Sequence, residues 1–191
     1  MRKVISGGQT GADIAALRAA KKCGIETGGY LPKGWLTESG PRPEYEQLYA
    51  VREHPQPGWV ARTESNVLGS RATVILTLDG GCLSGGTGKT WSFCRYWNRP
   101  HYIQDVSIES GTILLAQWLD GHEIVNFAGP RESKRPGIEE QAEKFLTETF
   151  AMLLPVNKGI EDGRDIHADK TRGGGGHPST CGEPPPILGD G

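Results

Sequence analysis

Two glycine-rich stretches carry most of the chemistry this sequence offers. Gly7, Gly8, Gln9, Thr10 and Gly11 form the first; Gly85, Gly86, Thr87, Gly88, Lys89 and Thr90 form the second. Glycine lets a backbone approach an anion closely, and free N–H groups at a helix N-terminus attract negative charge. Each stretch therefore reads as a phosphate cradle, and Lys89 adds a full positive charge to the second. One such turn is weak evidence, because tight strand–helix connections use glycine for steric reasons alone. Two in one chain weigh more. The second resembles a Walker A loop but fails its spacing, which needs glycine where Leu83 stands. Asp79 precedes the loop, and only the short His101–Ile103 segment follows it, so no Walker B strand accompanies it.

Other residues fall near the same loops. Arg62, Thr63 and Asn66 share one helical stripe and could reach a ligand from the end of their helix. Gly129 and Arg131 follow a strand directly, where ligands of parallel sheets bind. Asp13 would repel a phosphate, so its expected role is helix capping or contact with a ligand hydroxyl or amine. Lys33 and Trp35 lie in a glycine- and proline-rich loop, and Trp35 is the aromatic expected to stack on a ligand ring. No serine or cysteine stands beside a histidine in a nucleophile motif, so no catalytic residue is assigned. Cys23, Cys82, Cys94 and Cys181 are scattered without a C-x-x-C pair, which argues against a zinc knuckle or a disulfide framework and for a reducing cytoplasm. His167, His177 and Cys181 could bind a metal in principle; a solvated tail is the expected reading, and no metal ligand is assigned.

These residues need elements to position them. Lys3–Ser6 reads as a buried strand, followed by a helix from Gly11 to Cys23 with Thr10 as N-cap and Gly24 just past its end. Residues 25–47 break every period and read as a long surface loop, with a strand from Leu48 to Arg52 after it. Trp59–Ser70 reads as a helix with Val60, Thr63 and Val67 on one side, and Ala72–Leu78 as a central parallel strand. A helix through Trp91, Cys94 and Trp97, a strand at His101–Ile103, a helix from Ser107 to Leu119 and a strand at Glu123–Phe127 follow. Pro136 opens a last helix with Ile138, Ala142, Phe145, Thr149 and Met152 on one face, and Pro155 ends it. This alternation predicts a Rossmann-like α/β fold: an open, mainly parallel sheet with helices on both faces. Residues 1–155 form the ligand-binding domain, and the Gly/Pro-rich tail 156–191 is expected to be disordered.

Composition narrows the partners. Without the tail, basic and acidic residues balance, so the domain has no global field for nucleic acid or anionic lipid. No apolar run approaches the length that spans a bilayer, and the amino terminus is no secretion signal, so a cytoplasmic protein is expected. The predicted partner is a phosphorylated small molecule held by locally built sites, not nucleic acid and not membrane.

Five ordered motifs add a resemblance. They are Ser6-Gly7-Gly8-Gln9-Thr10-Gly11-Ala12-Asp13, Pro32-Lys33-Gly34, Arg62-Thr63-Glu64-Ser65-Asn66-Val67, Ser84-Gly85-Gly86-Thr87 and Asn126-Phe127-Ala128-Gly129-Pro130-Arg131-Glu132-Ser133. Together, over residues 3–154, they resemble the family of "putative molybdenum carrier" proteins. That family groups with the molybdenum-cofactor carriers and the lysine-decarboxylase-like phosphoribohydrolases in the SLOG branch of Rossmann-like folds. The resemblance implies a binding or carrier protein for molybdenum cofactor (molybdopterin), or for a nucleotide as the alternative, assembled as a homo-oligomer. The phosphoribohydrolase relatives follow the second glycine motif with a catalytic glutamate; here Lys89, Thr90, Trp91 and Ser92 stand instead. This departure favours binding without turnover. The alternatives are a nucleotide-processing hydrolase or transferase using Asp13 or Glu132, and a nucleotide sensor with the tail as tether.

Overall fold

A computed structural model describes residues 1–154 of the chain. The tail expectations, the helix stop at Pro155 and the candidate metal ligands His167, His177 and Cys181 lie outside the described residues. Five parallel strands make the central sheet: β1 (Lys3–Ser6), β2 (Glu26–Gly28), β7 (Ala72–Thr77), β8 (His101–Asp105) and β9 (Ile124–Ala128). Their order is β2-β1-β9-β7-β8. Among the described residues the last strand in sequence, β9, is thus the central one, pairing Val4 with Val125 on one side and Val74 with Phe127 on the other.

Helices cover both faces, as the β/α alternation predicts. Helices α1 (Ala12–Lys22), α5 (Gly111–Asp120) and α6 (Ile138–Ala151) pack on one face; α3 (Trp59–Leu68) and α4 (Gly85–Tyr96) pack on the other. The first face is the larger core. Val4, Val74, Leu76, Val125 and Phe127 point into it from alternate positions of their strands, meeting Leu17, Leu115, Leu119, Leu146 and Phe150. Helix α1 buries Ala12, Ala15, Ala16, Ala19 and Ala20, and these small side chains let α6 lie close against it. At the exit of β9, a Cβ on Gly129 would sit 2.6 Å from the Ala12 Cβ, so only glycine lets the chain pass there.

The segment read as a long loop is more ordered than its composition implies. It holds β2, β3 (Tyr30–Leu31) and a hairpin β4 (Leu36–Thr37) with β5 (Gly40–Pro41); helix α2 (Tyr45–Tyr49) starts at its end, and β3 pairs in parallel with β6 (Arg52–Glu53) beyond it. The strand expected over Leu48–Arg52 is therefore half helix, and only its end joins a two-stranded sheet. Several caps also move. Gly11, not Thr10, is the N-cap of α1; Ser110, not Ser107, precedes α5; and Gly137, not Pro136, precedes α6. On α3 the buried stripe is Arg62, Asn66 and Val67, while Val60 is exposed. Met152 lies beyond α6 and is exposed. The Trp59–Leu68 helix, the Ala72–Thr77 strand and the buried Ile138, Ala142, Phe145 and Thr149 follow the predicted pattern. Among the described residues no helix is long and apolar enough to cross a membrane.

Phe127 sits at the centre of the sheet and meets the Phe150 ring edge-on at 5.4 Å. Phe127→Ala is expected to cost about 3–5 kcal/mol, the usual size for an emptied aromatic core site. Urea titration followed by circular dichroism measures it, and a loss below about 1 kcal/mol would contradict this packing.

Candidate functional site

From β1 the chain moves outward to β2, and from β7 it moves outward the opposite way to β8, leaving β9 between the two diverging halves. A parallel sheet opens a crevice at such a reversal, beyond the carboxyl ends of its strands. Here that crevice is a cleft of about 500 Å³, walled by the loops after β1, β7 and β9 and by one end of α3.

Arg62 forms its deep wall. The polar stripe of α3 turns this side chain inward, where it is 7% exposed. Its Nη2 lies 3.5 Å from Asp13 Oδ2, and its guanidinium rests against Gly7, where a Cβ would fall 1.6 Å from Nη1. The pair is poorly solvated. Burial pushes the Asp13 carboxyl above its usual range, opposed by the Arg62 charge and by a 3.4 Å hydrogen bond from the Gln9 N–H. Burial pulls Arg62 down in turn, against the attraction of Asp13. One donor stays unused: Arg62 Nε is buried without a partner among the described residues. Leaving such a donor unpaired costs about 1–3 kcal/mol.

The rim adds three cations. Arg131, Lys134 and Arg135 come from the turn after β9, and Arg131 lies 4.5 Å over the Trp59 ring, which Arg62 also approaches at 5.8 Å. Across the cleft, α4 begins at Ser84 without a side-chain cap. The N–H groups of Gly85, Gly86 and Thr87 therefore have no acceptor within the helix. Against four cations and this helix end, Asp13 is the single carboxylate on the lining. The arrangement suits an anion with an aromatic or apolar remainder.

The structure brings together most of the residues picked from sequence. Gln9, Asp13, Arg62, Gly129 and Arg131 line the cleft, with Gly85, Gly86, Thr87 and Thr90 from the second glycine stretch. The Thr90 hydroxyl turns back to the Gly86 carbonyl at 3.2 Å. Other picks serve the cleft from behind or lie outside it. Gly7 makes room for Arg62, Gly8 packs on Leu31, and Gly11 abuts the Pro130–Glu132 backbone and donates to Glu139 Oε2 at 2.9 Å. Asn66 brackets the Tyr30 backbone, accepting at 2.9 Å and donating at 3.2 Å. Lys33 is exposed away from the cleft. Lys89 is off its lining, with Nζ 5.7 Å from the Phe93 ring. The aromatic at the mouth is Trp59; Trp35 packs against the core.

Sequence reasoning missed Trp59, Lys134 and Arg135. The last two stand three and four residues after Arg131, and the Arg131 carbonyl accepts from both their N–H groups at 3.0 Å, so one turn points three cations together. It also missed a histidine–serine contact, His54 Nε2 to Ser65 Oγ at 3.0 Å, between residues eleven apart. This pair is outside the cleft. With Gln56 held at His54 Nδ1 and the Tyr30 ring edge-on to the imidazole, it braces α3 behind Arg62. Glu132 is also occupied, accepting from Gly137 N at 2.5 Å and Glu139 N at 3.0 Å at the start of α6.

A hairpin ties the loops. Glu38 accepts from the hydroxyls of Thr10 and Ser133 and from Ser133 N, while the Gln9 amide pairs with Leu36 O and Glu38 N. Slight burial pushes the Glu38 carboxyl up, but the Ser133 and Thr10 donors outweigh it and hold its pKa below the usual range.

The family model described as "Circularly permutated YpsA SLOG family" matches residues 4–150. No curated protein matches the chain. Among solved structures, a protein from Syntrophus aciditrophicus SB named "Putative molybdenum carrier protein" is similar, with 40% identity and a TM-score of 0.71, covering 78% of this chain and 94% of its own.

Two outcomes test this geometry. Gly7→Ala must displace the Arg62 guanidinium and is expected to cost about 1–3 kcal/mol, as overpacking usually does; chemical denaturation reads it, and an unchanged midpoint would place Arg62 elsewhere. Glu38→Gln is expected to lower stability by less than about 1 kcal/mol near neutrality, since the contact is exposed. A depressed carboxyl pKa stabilises above the unfolded value, so this gap should close as pH falls through the folded value, below the usual carboxylate range. Thermal melts of both proteins between neutral and acid pH decide it.

Proposed function

The chain belongs to the circularly permuted YpsA SLOG family, and from that premise we propose that it binds or carries a phosphorylated small molecule in the Arg62 cleft. The observation that carries the reading is the buried Arg62 Nε, without a partner among the described residues, beside three rim cations and a helix N-terminus without a side-chain cap. In this reading a phosphate takes the Gly85, Gly86 and Thr87 N–H groups with Arg131, Lys134 and Arg135, and Arg62 Nε donates to an acceptor deeper in the ligand. Charge-assisted hydrogen bonds of this kind are the strong ones. Trp59 excludes water from one side of the ligand and holds Arg131 in place.

The finer reading takes its ligand from the name of the Syntrophus protein: the ligand is molybdenum cofactor, and the metal is cargo. The cleft's donors are N–H groups and cations, which fit the phosphate of a molybdopterin, and the pterin's own dithiolene supplies the metal binding. A nucleotide presents the same phosphate chemistry and is the alternative. Binding is favoured over turnover because Asp13 is engaged by Arg62 and Gln9, and both Glu132 oxygens hold backbone N–H groups of α6.

The protein should be purified anaerobically and denatured, and the released small molecules identified by mass spectrometry beside elemental molybdenum. Pterin with stoichiometric molybdenum supports the finer reading; a nucleotide without molybdenum supports the alternative. Calorimetric titration with AMP and pyrophosphate then tests the cleft. Arg131→Ala and Arg135→Ala should each weaken binding by about 1–3 kcal/mol, and Lys89→Ala should leave it unchanged. Equal affinity in all three folded variants would remove the phosphate from this cleft.

A further inference from the structure

Asp13 is the single carboxylate on the lining of a cleft that also carries Arg62, Arg131, Lys134 and Arg135. Its hold on Arg62 is loose. Arg62 Nη2 stands 3.5 Å from Asp13 Oδ2, and among the described residues the other donor to this carboxylate is the Gln9 N–H at 3.4 Å. Arg62 Nη1 lies over Gly7 instead. In a guanidinium, Nε and Nη2 share one edge, which grips two oxygens of a carboxylate or phosphate side by side. That edge of Arg62 is half used: Nη2 has its long contact to Asp13, and Nε is buried without a partner among the described residues.

A ligand oxygen that completes this edge competes with Asp13 for it. Burial already pushes Asp13 above the usual carboxylate range, and the charges of Arg62 and Arg131 are what oppose that push. A bound anion claims both cations at once. The neighbouring elements offer no replacement. Glu38 of the hairpin and Glu139 of α6 are themselves carboxylates, off the lining and held by their own donors. Lys134 and Arg135 stand on the rim beside Arg131, and Cys82, after β7, is the remaining titratable side chain on the lining. Helix α4 contributes backbone N–H groups that the anion itself occupies. A carboxylate only 5% exposed, once its cations are diverted, neutralises rather than staying charged.

We propose that Asp13 couples ligand binding to proton uptake: an anionic ligand oxygen takes the Nε–Nη2 edge of Arg62, and the displaced Asp13 carboxylate takes a proton from solvent. The new O–H donates to the ligand, so a group that repels the anion becomes one that binds it. This inference rests on the reading that the cleft holds a phosphate. Binding then tightens as pH falls. Affinity is full where Asp13 is protonated with and without ligand. It falls by about tenfold per pH unit between the unliganded pKa and the higher liganded one, and levels off above that. Asp13→Asn, neutral throughout, removes this slope.

Calorimetric titration of the full chain with pyrophosphate, in pairs of buffers that differ in ionisation enthalpy, counts the protons taken up. At a pH between the two pKa values, wild type is expected to take up about one proton more than Asp13→Asn. The ligand's own titration is common to both proteins and cancels. From mildly acid to alkaline pH, wild-type affinity should fall at least about tenfold more than that of Asp13→Asn, the effect of one pKa unit. Equal uptake and parallel pH profiles overturn the inference and leave the phosphate reading standing, because pyrophosphate then binds without involving Asp13. Pyrophosphate that binds neither protein at any pH overturns both. If Asp13→Asn fails to fold, wild type decides. Its infrared difference spectrum on binding should gain the C=O stretch of a protonated carboxyl, and isotopic labelling of aspartate should shift that band. A spectrum without it overturns the proposal.

Discussion

A guanidinium buried beside the end of a β-sheet is the constraint around which this molecule is arranged. Removing Arg62 from water is expensive, and a single carboxylate at 3.5 Å offsets only part of that cost. The surroundings answer to this. The first glycine stretch must leave space where a side chain would stand, which is why Gly7 lies under the guanidinium. Helix α3 must be held firmly enough to keep a cation inside, and Asn66 and the His54–Ser65 contact do that from behind. The parallel pair of β3 and β6 gives both braces something to hold.

The same logic explains the rim. A cleft with four cations repels itself unless its loops are fixed by other means. Gln9 reaches from the loop after β1 to the β4–β5 hairpin, and Glu38 from the hairpin to Thr10 and Ser133, tying walls that come from distant parts of the chain. Arg131 gains a further hold by lying over Trp59. The site is thereby shaped before any ligand arrives, which lowers the ordering cost of binding.

What could be read from the sequence was whatever depended on local pattern. The continuous apolar run of Ala72–Thr77, the alanine and leucine face of α1 and the stripe of α6 report burial directly, and the glycine stretches report a strand giving way to a helix. Residues 25–57 were opaque because their elements are two to five residues long and are held by long-range partners, such as Asn66 for Tyr30 and Glu38 for Ser133. No period survives in pieces that short. Lys89 reads as a phosphate contact because it stands beside a glycine turn, and its place in α4 sets it off the cleft's lining. Lys134 and Arg135 were overlooked because their convergence with Arg131 depends on a turn, and turn geometry leaves little trace in composition.

The central position of β9 also shapes how the protein is born. During synthesis the strands of the two halves of the sheet, β1 with β2 and later β7 with β8, leave the ribosome before the strand that joins them. Only when Ile124–Ala128 leaves the ribosome can the gap between them be filled. Until then the strands that β9 will pair, β1 and β7, lack their shared partner, and unpaired strand edges are where incomplete chains aggregate and chaperones act. The cleft cannot exist before that moment either, because one of its walls follows β9. Ligand competence and a complete sheet therefore arrive together, and a ribosome that stalls upstream of this strand releases a chain that has neither.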